Sequence, residues 1–264
     1  MRIAALLAAA SVVVAPHSLA QDAPAPVPIA EWPLEKIEAM GREIYIQDVA
    51  AWVATDALIA HLAGAQPKGI AGWIVTGDGP DRLVRFVTRD GETISAGWDI
   101  MVTAGRAGPV KVVTGQPLSD LEQARFRARQ TAIEGIGPLR CSPNLNTVVA
   151  DDPDGDGWLV WLLTATTDAK VVPMGGHYRF HISTDGREVL SRDQLSNTCV
   201  SMNLDPTGSQ GPTAGLYVTQ IVSSAPVETH VFLSLQNRMP IYVIAGEKMF
   251  EVLGDDITIV AAER

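Results

Sequence analysis

Trp158-Leu159-Val160-Trp161-Leu162-Leu163 decides the fold. Six consecutive apolar residues, β-branched or aromatic at every second or third position, cannot form an edge strand with one wet face. They read as a central strand covered on both sides, and a helix from the N-terminal half can supply one cover.

Working outward within Pro138 to Val200, the run is preceded by Asp152-Pro153-Asp154-Gly155-Asp156-Gly157 and by Thr147 to Ala150, the pattern of a hairpin around a tight polar turn. It is followed by His177 to Ser183 and Glu188 to Ser191, two further strands across an Asp-Gly turn. Cys141 and Cys199 bracket the block, the only cysteines in 264 residues. An even count in an exported chain predicts one disulfide, which closes a long loop and stabilises the fold by about 4 kcal/mol in the loop-entropy model.

Beyond Cys199 the patterns predict strands at Leu216 to Ser223, Thr229 to Leu235, Ile241 to Ala245, Met249 to Leu253 and Ile257 to Ala261, with Pro206 to Pro212 as a surface loop. Upstream, Pro117 to Glu122 contains Ser119 and Glu122 at capping-box spacing, so a helix is expected to about Ile133, ending at Gly135. Its Arg125 and Arg129 share a face, which allows an anion site, although solvated arginines paired with nearby acids are the expected arrangement. Ile70 to Val113 alternates in short runs divided by Gly and Asp, an antiparallel meander. Before it, Leu34, Ile37, Met40 and Ile44 predict one helix, weakened at Gly41. A second, from about Gln47 to Ala63, turns Val49, Trp52, Ile59 and Leu62 to the core.

The expected fold class is therefore α+β: N-terminal helices plus an antiparallel meander, then a β-rich antiparallel sheet or two packed sheets. The expected organisation is a signal peptide at 1–20, a Pro/Ala-rich tether at 21–30, a helix-plus-meander part at 31–115 and a β-rich part at 116–264. The last two can form one domain. Met1-Arg2, the apolar block to Ala15, Pro16 and Ser18-Leu19-Ala20 carry the signal-peptide reading, with cleavage near Ala20 and a periplasmic or secreted product.

The formal charge is -10, and the leader carries one Arg and no acid, so the mature form is one unit more negative. An acidic surface argues against nucleic acid and anionic lipid partners, and no apolar run calls for stable membrane insertion. The residues also lack H-E-x-x-H, a P-loop, G-x-S-x-G, S-x-x-K, C-x-x-C and a complete G-x-G-x-x-G. Zincin metalloproteases, nucleotide hydrolases, typical serine hydrolases and thioredoxin-like oxidoreductases lose ground accordingly. No cofactor is expected, and no residue stands out as catalytic.

Three groups remain. Asp152, Asp154 and Asp156 match the start of a calcium loop, but the position that needs a bidentate Glu is Leu163, so a hairpin turn is the first reading and an Asp-rich calcium loop the alternative. His177, Arg179 and His181 alternate with Tyr178, Phe180 and Ile182, so they share the polar face of a strand. The two histidines stand roughly 13 Å apart there, too far for one zinc at about 2.1 Å from each. Glu228 and His230 alternate likewise. If their strand lies beside the first, the five residues make one polar patch able to hold a small acidic ligand. The expectation is a non-catalytic binding protein for a small ligand or an envelope partner. The alternative is a small periplasmic hydrolase using histidine with a carboxylate.

Overall fold

The computed structural model describes residues 27–63, 69–204 and 213–260. The predicted signal peptide, most of the tether and the loop at 206–212 lie outside them.

The N-terminal helical pattern forms one helix, α1 (Leu34–His61), where two were predicted. Gly41 does not interrupt it, because there α1 meets a later helix so closely that a Cβ on Gly41 would stand 2.4 Å from Val231 Cβ. Burial at this crossing offsets the poor helix propensity of glycine. Continuity also sets the register of the buried stripe, which runs through Ile37, Gly41, Ile44, Gln47, Ala51, Ala54 and Leu58. Trp52 and Ile59, predicted inside, lie outside at 64% and 37% exposure. The stripe's second half is lined by alanines, which let the helix sit close to a sheet.

That sheet is the expected antiparallel meander: β1 (Ile70–Thr76), β2 (Arg82–Asp90), β3 (Thr93–Thr103), β4 (Arg106–Ala107) and β5 (Lys111–Pro117). Its Val84, Phe86 and Ile100 pack under Ala50, Ala54 and Leu58 of α1. Its other face, with Ile74, Val87 and Ala96, receives Phe126 of α2 (Asp120–Glu134). This helix starts with the predicted capping box: Ser119 Oγ accepts from the Glu122 N–H, and Glu122 Oε2 accepts from the Ser119 N–H at 2.8 Å.

Next come β6 (Leu145–Asp151), β7 (Trp158–Thr164), β8 (Val171–Pro173), β9 (Tyr178–Ile182), β10 (Val189–Gln194) and β11 (Ser201–Asn203). Four form an antiparallel sheet in the order β10-β9-β7-β6, while β8 pairs with β11. All seven residues of β7 are buried, as the apolar run requires. Trp158, Val160 and Leu162 face Ala124, Ala128 and Ala132 of α2, and Leu159, Trp161 and Leu163 face the other way, into a core shared with Ile44 of α1. α2 thus covers the meander with one side and the second sheet with the other. The predicted disulfide joins Cys141 to Cys199. Gly176 lies beneath it with φ +83°, where a Cβ would fall 2.3 Å from Cys141 Sγ.

The last sheet corrects an assignment. Thr229 to Leu235, predicted as a strand, is helical: α3 (Glu228–Asn237) follows β12 (Leu216–Gln220) and leads to β13 (Ile241–Ala245). β12 and β13 run parallel, and parallel neighbours need a crossover, which α3 provides. Every residue from Glu228 to Ser234 is buried, so polar and apolar side chains do not alternate between water and core, and periodicity could not separate strand from helix. β14 (Lys248–Leu253) and β15 (Asp256–Val260) complete the sheet antiparallel.

The tether's last residues are not a free spacer either. Ile29 is buried and donates its N–H to Val222 O at 2.9 Å, which ties the entry to α1 against the third sheet. No described helix is long and apolar enough to cross a membrane.

Candidate functional site

The structure brings four of the five predicted patch residues into one buried cluster, by a route other than strand pairing. β9 carries Arg179 with His177 just before it, and the first turn of α3 lays Glu228 and His230 against them. Arg179 is 1% exposed and all its nitrogens are engaged. Nη1 donates to Glu228 Oε1 and Oε2 at 3.2 and 3.1 Å, Nε and Nη2 to Asp193 Oδ2 at 3.0 and 2.6 Å, and Nη2 to Ala30 O at 2.9 Å. Its guanidinium stacks 3.7 Å from the Trp32 ring centroid. Glu228, wholly buried, also accepts from Trp161 Nε1 at 2.8 Å.

The imidazoles are equally committed. His177 Nδ1 accepts the Thr164 N–H at 3.0 Å, so the proton sits on Nε2, which donates to Pro173 O at 2.9 Å. Burial holds its pKa down at about 4. His230 Nδ1 accepts the Val227 N–H at 3.0 Å and so caps α3, filling the place of the acid in a capping box. Burial, with His177 adding to it, lowers its pKa to about 3. Only His181 reaches the rim, where Nδ1 lies 3.1 Å from Asp152 Oδ2. The polar face of the strand is therefore closed to water at His177 and Arg179. Their face is polar yet covered by α3 and the N-terminal segment, and its charges neutralise one another instead of awaiting a ligand.

The Asp-rich stretch is the hairpin turn of β6 and β7. Asp154 accepts from Lys36 Nζ at 2.5 Å, and Asp152 Oδ1 accepts the Asp154 N–H at 3.1 Å. Among the described residues no cluster of three His, Cys, Asp or Glu is arranged to hold a metal ion.

A different place has room. A cleft of about 420 Å³ opens between the N-terminal half of α1, the β1–β2 turn, the start of α2 and the end of β6. Such a volume suits a small molecule. Ala39, Met40, Leu121 and Ala150 supply apolar wall, and two buried arginines supply charge. Arg82, 3% exposed, donates Nη2 to Glu43 Oε2 at 2.7 Å and Nη1 to the carbonyls of Gly79 and Asp81. Arg125, 8% exposed, donates Nη2 to Asp151 Oδ2 at 2.8 Å and Nη1 to Val75 O at 2.5 Å. The Nε of each is buried without a hydrogen-bond partner. An unpaired donor on a buried guanidinium costs about 1–3 kcal/mol or more, and both Nε atoms are closed to solvent, so this cost is borne inside the protein and not at the cleft surface.

Acids line the rim as well. Glu122 is engaged by Arg85 at 2.6 Å and by the capping box, and Glu43 also accepts from Gln47. Asp151 is 76% exposed despite its arginine, and Asp78, on the turn, has no ion pair among the described residues. In the sequence Arg125 and Arg129 share a helix face, with solvated arginines the expectation and an anion site the alternative; in the structure Arg125 is buried and Arg129 is partly buried. Arg129 stacks 4.9 Å from the Trp73 ring centroid and donates Nε to Thr147 Oγ1 at 2.7 Å, and burial lowers its pKa to about 10. Arg82 went unnoticed. Its sequence signal was slight: a basic residue directly after the turn Gly77-Asp78-Gly79-Pro80-Asp81 and before an apolar strand.

No family model, no curated protein and no solved structure matches the chain.

Proposed function

We propose that the chain is an exported, non-catalytic binding protein, and that the cleft between α1, α2 and the β1–β2 turn holds a small ligand. One observation carries the reading: a cleft of about 420 Å³ combines an apolar wall of Ala39, Met40, Leu121 and Ala150 with Arg82, Arg125 and the exposed carboxylates of Asp78 and Asp151. Export rests on the apolar leader pattern to Ala20 and on the disulfide, which persists in an oxidising compartment.

The hydrolase alternative loses its best residues. A general base must come within hydrogen-bond reach of a substrate proton, and His177 and His230 are at most 3% exposed with Nδ1 already accepting backbone N–H groups.

Thermal-shift screening of a soluble fragment and metabolite panel tests the reading. Ala39→Trp places an indole at the exposed cleft wall of α1, and Leu190→Ala alters an exposed residue of β10, which contributes nothing to the cleft lining. Binders whose shift is abolished by the first substitution and kept by the second support the cleft. Binders indifferent to Ala39→Trp, or a panel without binders, overturn it.

A further inference from the structure

Apart from the cleft, we infer that Arg129, held over Trp73, is a binding site for the carboxylate of a small acid or of a peptide C-terminus, received by the two terminal nitrogens of the guanidinium.

The other sheltered arginines follow a pattern that Arg129 breaks. Arg82, Arg125 and Arg179 are buried, and each is paired with acid: Glu43, Asp151, and Asp193 together with Glu228. The partly buried Arg85 has Asp99 and Glu122. Arg129 is partly buried too, yet its contacts among the described residues are a hydroxyl and an aromatic ring, with no ion pair. Burial is the one cause that moves its pKa, down to about 10, and no acid opposes it. In a chain of net charge -10, a sheltered cation without an acid is the exception. Withdrawing it from water without a counter-charge is unfavourable, and a bound anion offsets that.

Geometry decides which atoms receive the anion. Nε is engaged by Thr147 Oγ1 at 2.7 Å, and the guanidinium carbon lies 4.9 Å from the Trp73 ring centroid, so two contacts fix the head of the side chain. Gly72 admits it at close range, since a Cβ there would stand 3.0 Å from Nη1 and 3.1 Å from the Phe126 ring. Nη1 and Nη2 donate to no described residue and, unlike the Nε atoms of Arg82 and Arg125, are not closed to solvent. A fixed pair of N–H groups matches the two oxygens of a carboxylate. No free cation stands beside it on α2, because Arg125, one turn back, is engaged by Asp151 and Val75 O. A singly charged carboxylate is therefore matched in charge, and a phosphate dianion is not. Arg129 does not line the cleft, so this site is independent of it.

Side-chain 15N–1H NMR of the disulfide-bonded protein at constant ionic strength reads the guanidinium directly. Arg129→Lys keeps the charge, removes the fork and assigns the Arg129 signal by its disappearance. Should that variant not fold, Thr147→Val assigns the signal by displacing it. The probes are acetate, acetamide, N-acetyl-dialanine and inorganic phosphate. Acetate is expected to move the signal saturably and acetamide to leave it in place. Followed at the backbone amides of Gly72 and Trp73, acetate affinity should fall by roughly fivefold or more in Arg129→Lys.

N-acetyl-dialanine binding tighter than acetate identifies a peptide C-terminus as the source, and equal or weaker binding a free small acid. Both uphold the carboxylate site. Acetamide as effective as acetate, phosphate saturating at a lower concentration than acetate, an acetate response unchanged in Arg129→Lys, or no saturable response overturns it.

Discussion

Arg179 and Glu228 are 49 residues apart, on a strand and on a helix, yet Arg179 Nη1 donates to both carboxylate oxygens of Glu228 with neither residue more than 1% exposed. The pair joins β9 of the second sheet to α3 of the third. Asp193 balances the guanidinium a second time and Trp161 adds a donor to the carboxylate, so the node is built to be complete in itself.

Removing one partner of a buried ion pair usually costs about 3–5 kcal/mol. Glu228→Gln should fall at or below the lower end, because Asp193 still neutralises Arg179 and an amide oxygen can still accept from Trp161. Glu228→Leu, which strands both donors, should cost more. Urea unfolding of the two variants decides the matter: equal losses would mean that the hydrogen bonds of this node contribute nothing beyond the space they fill.

Gly41→Ala should destabilise the protein even though alanine is the better helix former by about 1 kcal/mol. The new Cβ would fall 2.4 Å from Val231 Cβ and 2.7 Å from the Glu228 carbonyl oxygen, so α1 and α3 must separate. A loss of about 1–3 kcal/mol is expected from such overpacking. An unchanged or raised melting temperature would show that the two helices do not meet in this way.

Protonation should act on stability in two opposed windows. His177 and His230 have folded pKa values of about 4 and 3, below the usual 6.5, so the unfolded chain takes up their protons first. Stability from these two groups is full above pH 6.5 and falls as pH drops toward 4 and 3. Asp48 behaves oppositely. Burial raises its pKa to about 6, against the opposing hydrogen bond from Asn146, so its contribution is full below pH 3.8 and is lost as pH rises through 6. Asp48→Asn should therefore be more stable than the parent by about 1–3 kcal/mol at pH 7, with the difference vanishing below pH 4. Denaturation across pH 3–8 checks this, and a constant difference at every pH would count against it.

Reduction of the Cys141–Cys199 bond, separated by 58 residues, should cost about 4 kcal/mol by loop entropy. Intact mass with alkylation before and after reductant reads the bond directly: two alkylated thiols without reductant would contradict it. The same preparation should show no rise in melting temperature with millimolar calcium, since Lys36 already neutralises Asp154 in the Asp-rich turn. A calcium-dependent rise would restore that turn as a cation site.

The amino-acid sequence by itself determined the local pieces whose signal is chemical and short-ranged. The capping box at Ser119 and Glu122, the meander's turns, the doubly buried run Trp158 to Leu163 and the single cystine each follow from residues a few places apart or from a simple count. Tertiary structure decided everything that needed a distant partner. Glu228 to Leu235 became a helix because β12 and β13 pair in parallel and must be joined by a crossover. His177 and Arg179 went inside because α3 and the segment around Ala30 and Trp32 cover their face and supply the opposite charge. Arg82, Arg125, Glu43 and Asp151 face one cleft only because four elements distant in sequence converge there. Alternation tells which residues share a face of a strand. Whether that face meets water or another element is settled by packing, where pairing of buried charges outweighs their cost of leaving water.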